Sequence, residues 1–197
     1  DFNENTIGPS PKVLQAIQAI PSDQISIYPE YHGLKEAVIK NLTLRSNKLI
    51  LRTEEVGLFN GADAAIHSIF HAYGNRGEYL LTTSPTFGYY SPCAHMQGMR
   101  TKEIPYEGNG FEYPFQKIRA VIIEKKPKLL FICNPNNPTG TTLPPEKILE
   151  LTSISSETLV VVDELYEAFS GASVLPIVNF EEVKNLIILR SLSKTAG

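Results

Sequence analysis

Near the start of the chain, Val13, Leu14, Ile17 and Ile20 recur at helical spacing after Ser10-Pro11. A hydroxyl residue followed by proline suits a helix start, with the hydroxyl as cap and the proline at the first helical position. A second apolar stripe, Leu34, Ala37, Val38 and Leu42, predicts an amphipathic helix from 33 to about 43. From Val56 onward the pattern changes. Short aliphatic or β-branched runs at 56–60, 79–83, 101–105, 128–133, 158–163 and 185–191 alternate with helical stretches at 62–73, 86–98, 112–125 and 145–154. Alternation of nearly continuous apolar strands with helices predicts an α/β fold, a three-layer sandwich whose mostly parallel sheet is covered on both faces. Ligands of such sheets bind beyond the C-terminal ends of the strands.

Composition narrows the function without naming it. The chain has 197 residues, 42% hydrophobic and 20% charged, with a net charge of −3. That balance gives no reason to expect a nucleic-acid or anionic-membrane partner. No apolar run approaches the roughly 18 residues that a membrane span requires. Cys93 and Cys133 are too few for a disulfide framework. They read as small buried apolar residues in a reducing, cytoplasmic setting. Asp1 in place of Met leaves room for a removed targeting segment. The chain stops at Ser193-Lys194-Thr195-Ala196-Gly197, directly after an expected strand and a polar motif. We therefore expect a truncated chain.

The chemistry collects at the strand ends. Gly61-Ala62-Asp63 opens a helix after a strand, and unpaired backbone N–H groups there attract an anion. Asp63 also reads as an ordinary first-turn acid. Ser84-Pro85-Thr86-Phe87-Gly88-Tyr89-Tyr90 follows the second run, and Asn134-Pro135-Asn136-Asn137-Pro138-Thr139-Gly140 follows the fourth. Rigid turns of the latter kind can aim an amide at a ligand, although Asn134 and Asn136 fit plain Asx turns better. Asp163 closes the apolar run Leu159-Val160-Val161-Val162, where a carboxylate is costly unless a cation or several donors meet it. Glu164 beside it reads as structural. Lys194 follows the last strand among hydroxyls, in Ser191-Leu192-Ser193-Lys194. Alone it would read as a solvated turn lysine; desolvation or nearby cations could instead lower its pKa enough for imine chemistry.

The ordered set of motifs resembles the fold-type I pyridoxal 5'-phosphate (PLP) aminotransferases, in particular the histidinol-phosphate aminotransferase branch. It comprises Asn3-Glu4-Asn5 with Gly8-Pro9-Ser10-Pro11, Tyr28-Pro29, Gly61-Ala62-Asp63, Pro85-Thr86-Phe87, Asn136-Asn137-Pro138-Thr139-Gly140, Asp163-Glu164-x-Tyr166 and Ser191-x-Ser193-Lys194. The resemblance covers the whole chain, which would be a little over half of a complete member. It implies that Lys194 is the Schiff-base lysine and Asp163 the partner of the pyridine nitrogen. Asn137 and Tyr166 would bond the cofactor's phenolic oxygen, and Phe87 would stack on its ring. The phosphate would lie on the amides of Ala62 and Asp63 and the hydroxyls of Ser191 and Ser193. Tyr28 would reach the phosphate of a neighbouring subunit, which implies a homodimer with its active site at the interface.

By the same resemblance, residues 1–45 would contribute to a small domain and the dimer contact, and 46–197 would be an incomplete PLP-binding large domain. The implied reaction transfers an amino group from histidinol phosphate or an aromatic amino acid to 2-oxoglutarate, with Lys194 as base and acid. Thr6-Ile7 stands where the family usually has Pro-Tyr, so contacts at the site entrance differ. The arginines that bind phosphate and substrate carboxylate lie outside the chain, and the fragment alone is expected to be inactive. A PLP-dependent decarboxylase, such as a threonine-phosphate decarboxylase, and a non-catalytic PLP-binding regulator domain remain open alternatives. His67 and His71 are four apart, but no third ligand accompanies them and no metal is expected. The run 137–142 lacks the Gly-Lys-Ser/Thr of a nucleotide loop.

Overall fold

The computed structural model describes residues 3–44 and 51–194. They fall into two compact units, Phe59–Ser191 and a second made from residues up to Leu58 together with those from Leu192. The larger unit carries a five-stranded sheet of β1 (Tyr79–Ser84), β2 (Arg100–Pro105), β3 (Leu129–Cys133), β4 (Leu159–Asp163) and β5 (Leu186–Leu189). Its order is β2-β1-β3-β4-β5, and every pairing is parallel. The central strands β3 and β4 are apolar and buried on both faces, whereas the edge strand β2 is largely polar and exposed.

Period-two alternation sends neighbouring side chains to opposite layers. Leu80, Leu129, Phe131, Cys133 and Val161 pack in one core cluster with residues of α4 (Ala62–Tyr73) and α5 (Tyr90–Met96). Leu81, Leu130, Ile132, Val160 and Val162 pack in the other, with residues of α6 (Phe115–Lys125) and α7 (Pro145–Thr152). This is the expected three-layer α/β arrangement. Helix α4 occupies the predicted span 62–73. The sheet reverses its direction of growth between β1 and β3, so the loops after these strands flank the crevice where such folds bind ligands.

Several boundaries differ from expectation for local reasons. Residues 56–60 form no strand. Glycine at 57 weakens the run, and no described strand pairs with it; a 3-10 turn, Thr53–Glu55, precedes it. The helix expected over 86–98 starts only at Tyr90, after Pro85 and Gly88. The helix expected from 112 starts at Phe115, because Pro114 disfavours helical geometry at Tyr113. A short helix α8 (Glu167–Ser170), not anticipated, follows β4.

In the smaller unit, α1 (Pro11–Gln18) and α3 (Leu34–Thr43) occupy the two predicted spans, with a short unpredicted α2 (Ser22–Ser26) between them. Ser10 has the extended backbone of an N-cap, but its side chain makes no capping hydrogen bond, against expectation. Neither α1 nor α3 buries a residue fully. Lys35 Nζ on α3 donates to the carbonyl of Thr53 at 3.2 Å.

Candidate active site

The strand β4 delivers two consecutive carboxylates into the protein. Asp163 and Glu164 are 2% and 1% exposed. Alternation along the chain separates their surroundings. Glu164 is saturated: its Oε1 accepts from the Val174 amide at 2.7 Å, and its Oε2 accepts from Ser173 Oγ and Arg190 Nε, both at 2.8 Å. Arg190 continues to Glu167 and donates to Ser173 Oγ at 2.7 Å. Burial pushes the Glu164 carboxyl up, and Arg190 works against that shift. This network stitches the end of β5 to the segment after β4, and it gives Glu164 the structural role expected of it.

Asp163 is met differently. Its Oδ2 accepts from the Tyr90 hydroxyl at 2.7 Å, and its Oδ1 accepts from the Leu165 amide at 3.1 Å. Among the described residues no cation pairs with it. Burial pushes its carboxyl above the ordinary aspartate range, while these two donors oppose the shift. A desolvated acid with two donors and no cation is suited to receive a positively charged ligand atom.

Around it stand other residues singled out from sequence. Phe87, half-buried, lies edge-on to Tyr90 with ring centroids 5.5 Å apart. Tyr90 in turn packs on Phe131 at 4.8 Å. The loop after β3 is built by its asparagines. Asn134 makes reciprocal bonds with Leu143, donating at 3.1 Å and accepting at 2.8 Å. Asn136 donates to the carbonyl of Pro85 at 3.0 Å and accepts from Thr86 Oγ1 at 2.8 Å, so it ties this loop to the one after β1. Those two asparagines are structural, but as bridges to Leu143 and to the loop after β1 rather than as the plain Asx turns expected of them. Asn137 is half-buried, and its amide donates to Cys133 Sγ at 3.4 Å.

Helix α4 begins at Ala62 behind Gly61, whose φ of 87° few other residues adopt and whose lack of a side chain leaves the first turn without a side-chain cap. Among the described residues, a Cβ at Gly61 would meet nothing within 4 Å. Asp63 itself is exposed. Tyr166 is the half-buried N-cap residue of α8, and Ser191, also half-buried, follows Arg190. Ser193, Lys194 and Tyr28 belong to the smaller unit; there Lys194 is half-buried and Tyr28 is 96% exposed.

Tyr90 was given no role from sequence, and Arg190 was missed. A buried acid implies a donor, and Arg190 directly precedes Ser191 while Glu164 and Glu167 are spaced three apart, which was the available signal for the network. His67 and His71 are exposed on α4. Among the described residues no three His, Cys, Asp or Glu side chains gather as metal ligands. Among them, too, no helix is long and apolar enough to cross a membrane.

The structure is thus an α/β protein with a parallel five-stranded sheet and a buried aspartate at the C-terminal end of β4. Comparison supplies the family: the model for aminotransferase class I and II matches residues 1–197, and the chain belongs to that family. It is 31% identical to the histidinol-phosphate aminotransferase of Ruminiclostridium cellulolyticum over 202 residues, covering 100% of this chain and 54% of the relative. With the histidinol-phosphate aminotransferase of Thermoanaerobacter pseudethanolicus, identity is 35% over 199 residues, with 100% and 54% coverage. The chain thus spans about half the length of the curated relatives it matches. The crystal structure of histidinol-phosphate aminotransferase from Sinorhizobium meliloti, in complex with pyridoxal-5'-phosphate, superposes with a TM-score of 0.84 at 24% identity. That superposition covers 99% of this chain and 52% of the other. Apo-BacF from Bacillus subtilis gives a TM-score of 0.84 at 27% identity, covering 100% and 54%.

Proposed function

We propose that the complete protein is a PLP-dependent aminotransferase that moves an amino group from histidinol phosphate or an aromatic amino acid to 2-oxoglutarate. The carrying observation is Asp163, a buried carboxylate with two donors and no cation among the described residues, in a chain that matches an aminotransferase family from end to end. Names of the relatives support histidinol phosphate as donor.

The residues fit the cofactor. Asp163 supplies the negative charge that a protonated pyridine nitrogen needs, and Phe87 supplies an aromatic face. The uncapped first turn of α4 supplies N–H groups for a phosphate, with Ser191 and Ser193 as further donors. Asn137 and Tyr166 are the proposed donors to the phenolic oxygen, and Lys194 is the proposed attachment point. When bound, PLP serves as the electron sink for the bond-breaking at the substrate's Cα. Lys194 would be the base and acid that moves the proton at the substrate's Cα. Asp163 keeps the ring nitrogen protonated throughout. Tyr28 is assigned to a partner's phosphate, so the working unit is a homodimer in the cytoplasm, with residues 1–45 contributing to its contact and small domain and 46–197 to the PLP-binding domain.

The test is borohydride reduction of the complete protein with PLP, followed by peptide mapping. Label on Lys194 is expected; label elsewhere, or none, overturns the assignment. Glutamate formed from 2-oxoglutarate, without CO₂ release, separates transamination from decarboxylation.

A further inference from the structure

Tyr90 opens α5 and is wholly buried, although its side chain carries a hydroxyl. Two rings hold it in place: Phe87 edge-on at 5.5 Å and Phe131 tilted at 4.8 Å. Clamped in this way, the hydroxyl points at Asp163 Oδ2, 2.7 Å away. The groups that face Asp163 come from several elements. Tyr90 approaches from α5, Cys133 from the neighbouring strand β3, Asp63 from the start of α4, and the Leu165 amide from its own chain. Burial and the charge of Asp63 oppose ionisation of Asp163; Tyr90 and the Leu165 amide favour it. Cys133 adds no charge, because burial pushes its thiol up to about 12. The Tyr90 phenol is itself pushed well up, first by burial and then by the Asp163 charge, so it stays a donor at neutral pH.

We infer that Tyr90 is the positioning residue of Asp163, its hydroxyl orienting the buried carboxylate and keeping it ionised to receive a cationic ring nitrogen. The inference rests on the proposed role of Asp163 toward PLP. It adds a residue outside the chemistry that sets the protonation of the acid within it. Of the two donors to the carboxylate, only Tyr90 can be deleted by substitution, since the other is backbone. A hydrogen bond to a charged group stabilises it enough to move a carboxyl by about one pH unit.

The experiment uses the complete protein and two variants, Y90F and D163N. In the cofactor-free Y90F protein, carbon-13 carboxyl titration should place the pKa of Asp163 about one pH unit above wild type. In the loaded enzyme the acid limb of the kcat/KM profile should move upward in parallel, and PLP should bind several-fold more weakly. An unmoved carboxyl pKa and an unmoved acid limb would show Tyr90 to be packing alone and overturn the inference. D163N separates the two levels of argument. Unchanged turnover in D163N overturns the reading of Asp163 itself; collapse in D163N with an unmoved pKa in Y90F overturns only the role of Tyr90. If Y90F does not fold, 3-fluorotyrosine placed at position 90 strengthens the donor. It must then lower the Asp163 pKa, and no shift overturns the inference.

Discussion

Asp163 and Glu164 are adjacent, both buried and both pushed upward by burial, yet the protein treats them in opposite ways. Glu164 is surrounded by an arginine, a serine and an amide, and Arg190 extends the network to Glu167. Asp163 has a phenol and one amide, without a cation among the described residues. Burying a charge is costly, and the fold meets that cost internally for one carboxylate and leaves the other short. The difference separates two kinds of buried acid one residue apart: Glu164, paired with Arg190, ties the segments after β4 and β5 together, whereas Asp163, bonded only to neutral donors, is the one proposed to receive a cationic ligand.

Substitutions at the two positions should therefore fail in different assays. The largest expected effect is on turnover. D163N in the complete protein should lower kcat by about 10²–10³, the loss typical of removing one electrostatic stabiliser, while the protein stays folded. Near-normal kcat would return Asp163 to the structural class of its neighbour. Next comes R190M, which strands Glu164 and Glu167 without their cation. Breaking a buried pair costs about 3–5 kcal/mol, and because Arg190 is a quarter exposed we expect about 3 kcal/mol by denaturant unfolding. A change below about 1 kcal/mol would mean that the network is solvated like a surface pair.

Smaller effects sharpen the picture. F87L removes an aromatic face worth roughly 0.5–1.5 kcal/mol, so PLP affinity should fall by about threefold to tenfold with little change in stability. Equal affinity would place Phe87 in the core alone. The pH dependence also has a definite sign. A carboxyl whose folded pKa is raised makes its favourable contribution below the unfolded pKa and loses it as pH rises through the folded value. Cofactor-free D163N should thus unfold at a higher temperature than wild type at neutral pH. That advantage should shrink as pH falls through the raised folded value and be gone below the ordinary aspartate value of 3.8. An advantage independent of pH would not come from this ionisation.

Much of this was legible in the residues because the central strands are buried on both faces. Leu129 to Cys133 and Leu159 to Val162 could hardly be anything else, and α4 starts where Gly61 permits it. The run 56–60 misled because apolar content does not report whether a partner strand exists. The site divides similarly. Asp163, Asn137 and Phe87 were visible as punctuated motifs at strand ends, whereas the roles of Tyr90 and Arg190 were hidden. Their importance comes from pairings 73 and 26 residues distant in sequence, and no local pattern encodes such distances.

Whether one of two neighbouring acids is reserved for a cationic ligand can be read from the thermal stabilisation that PLP confers on the complete protein. Wild type and E164Q should both gain several degrees on adding PLP, E164Q from a lower baseline, while D163N should gain little from a baseline at or above wild type. Full stabilisation of D163N, together with its loss in E164Q, would contradict the account.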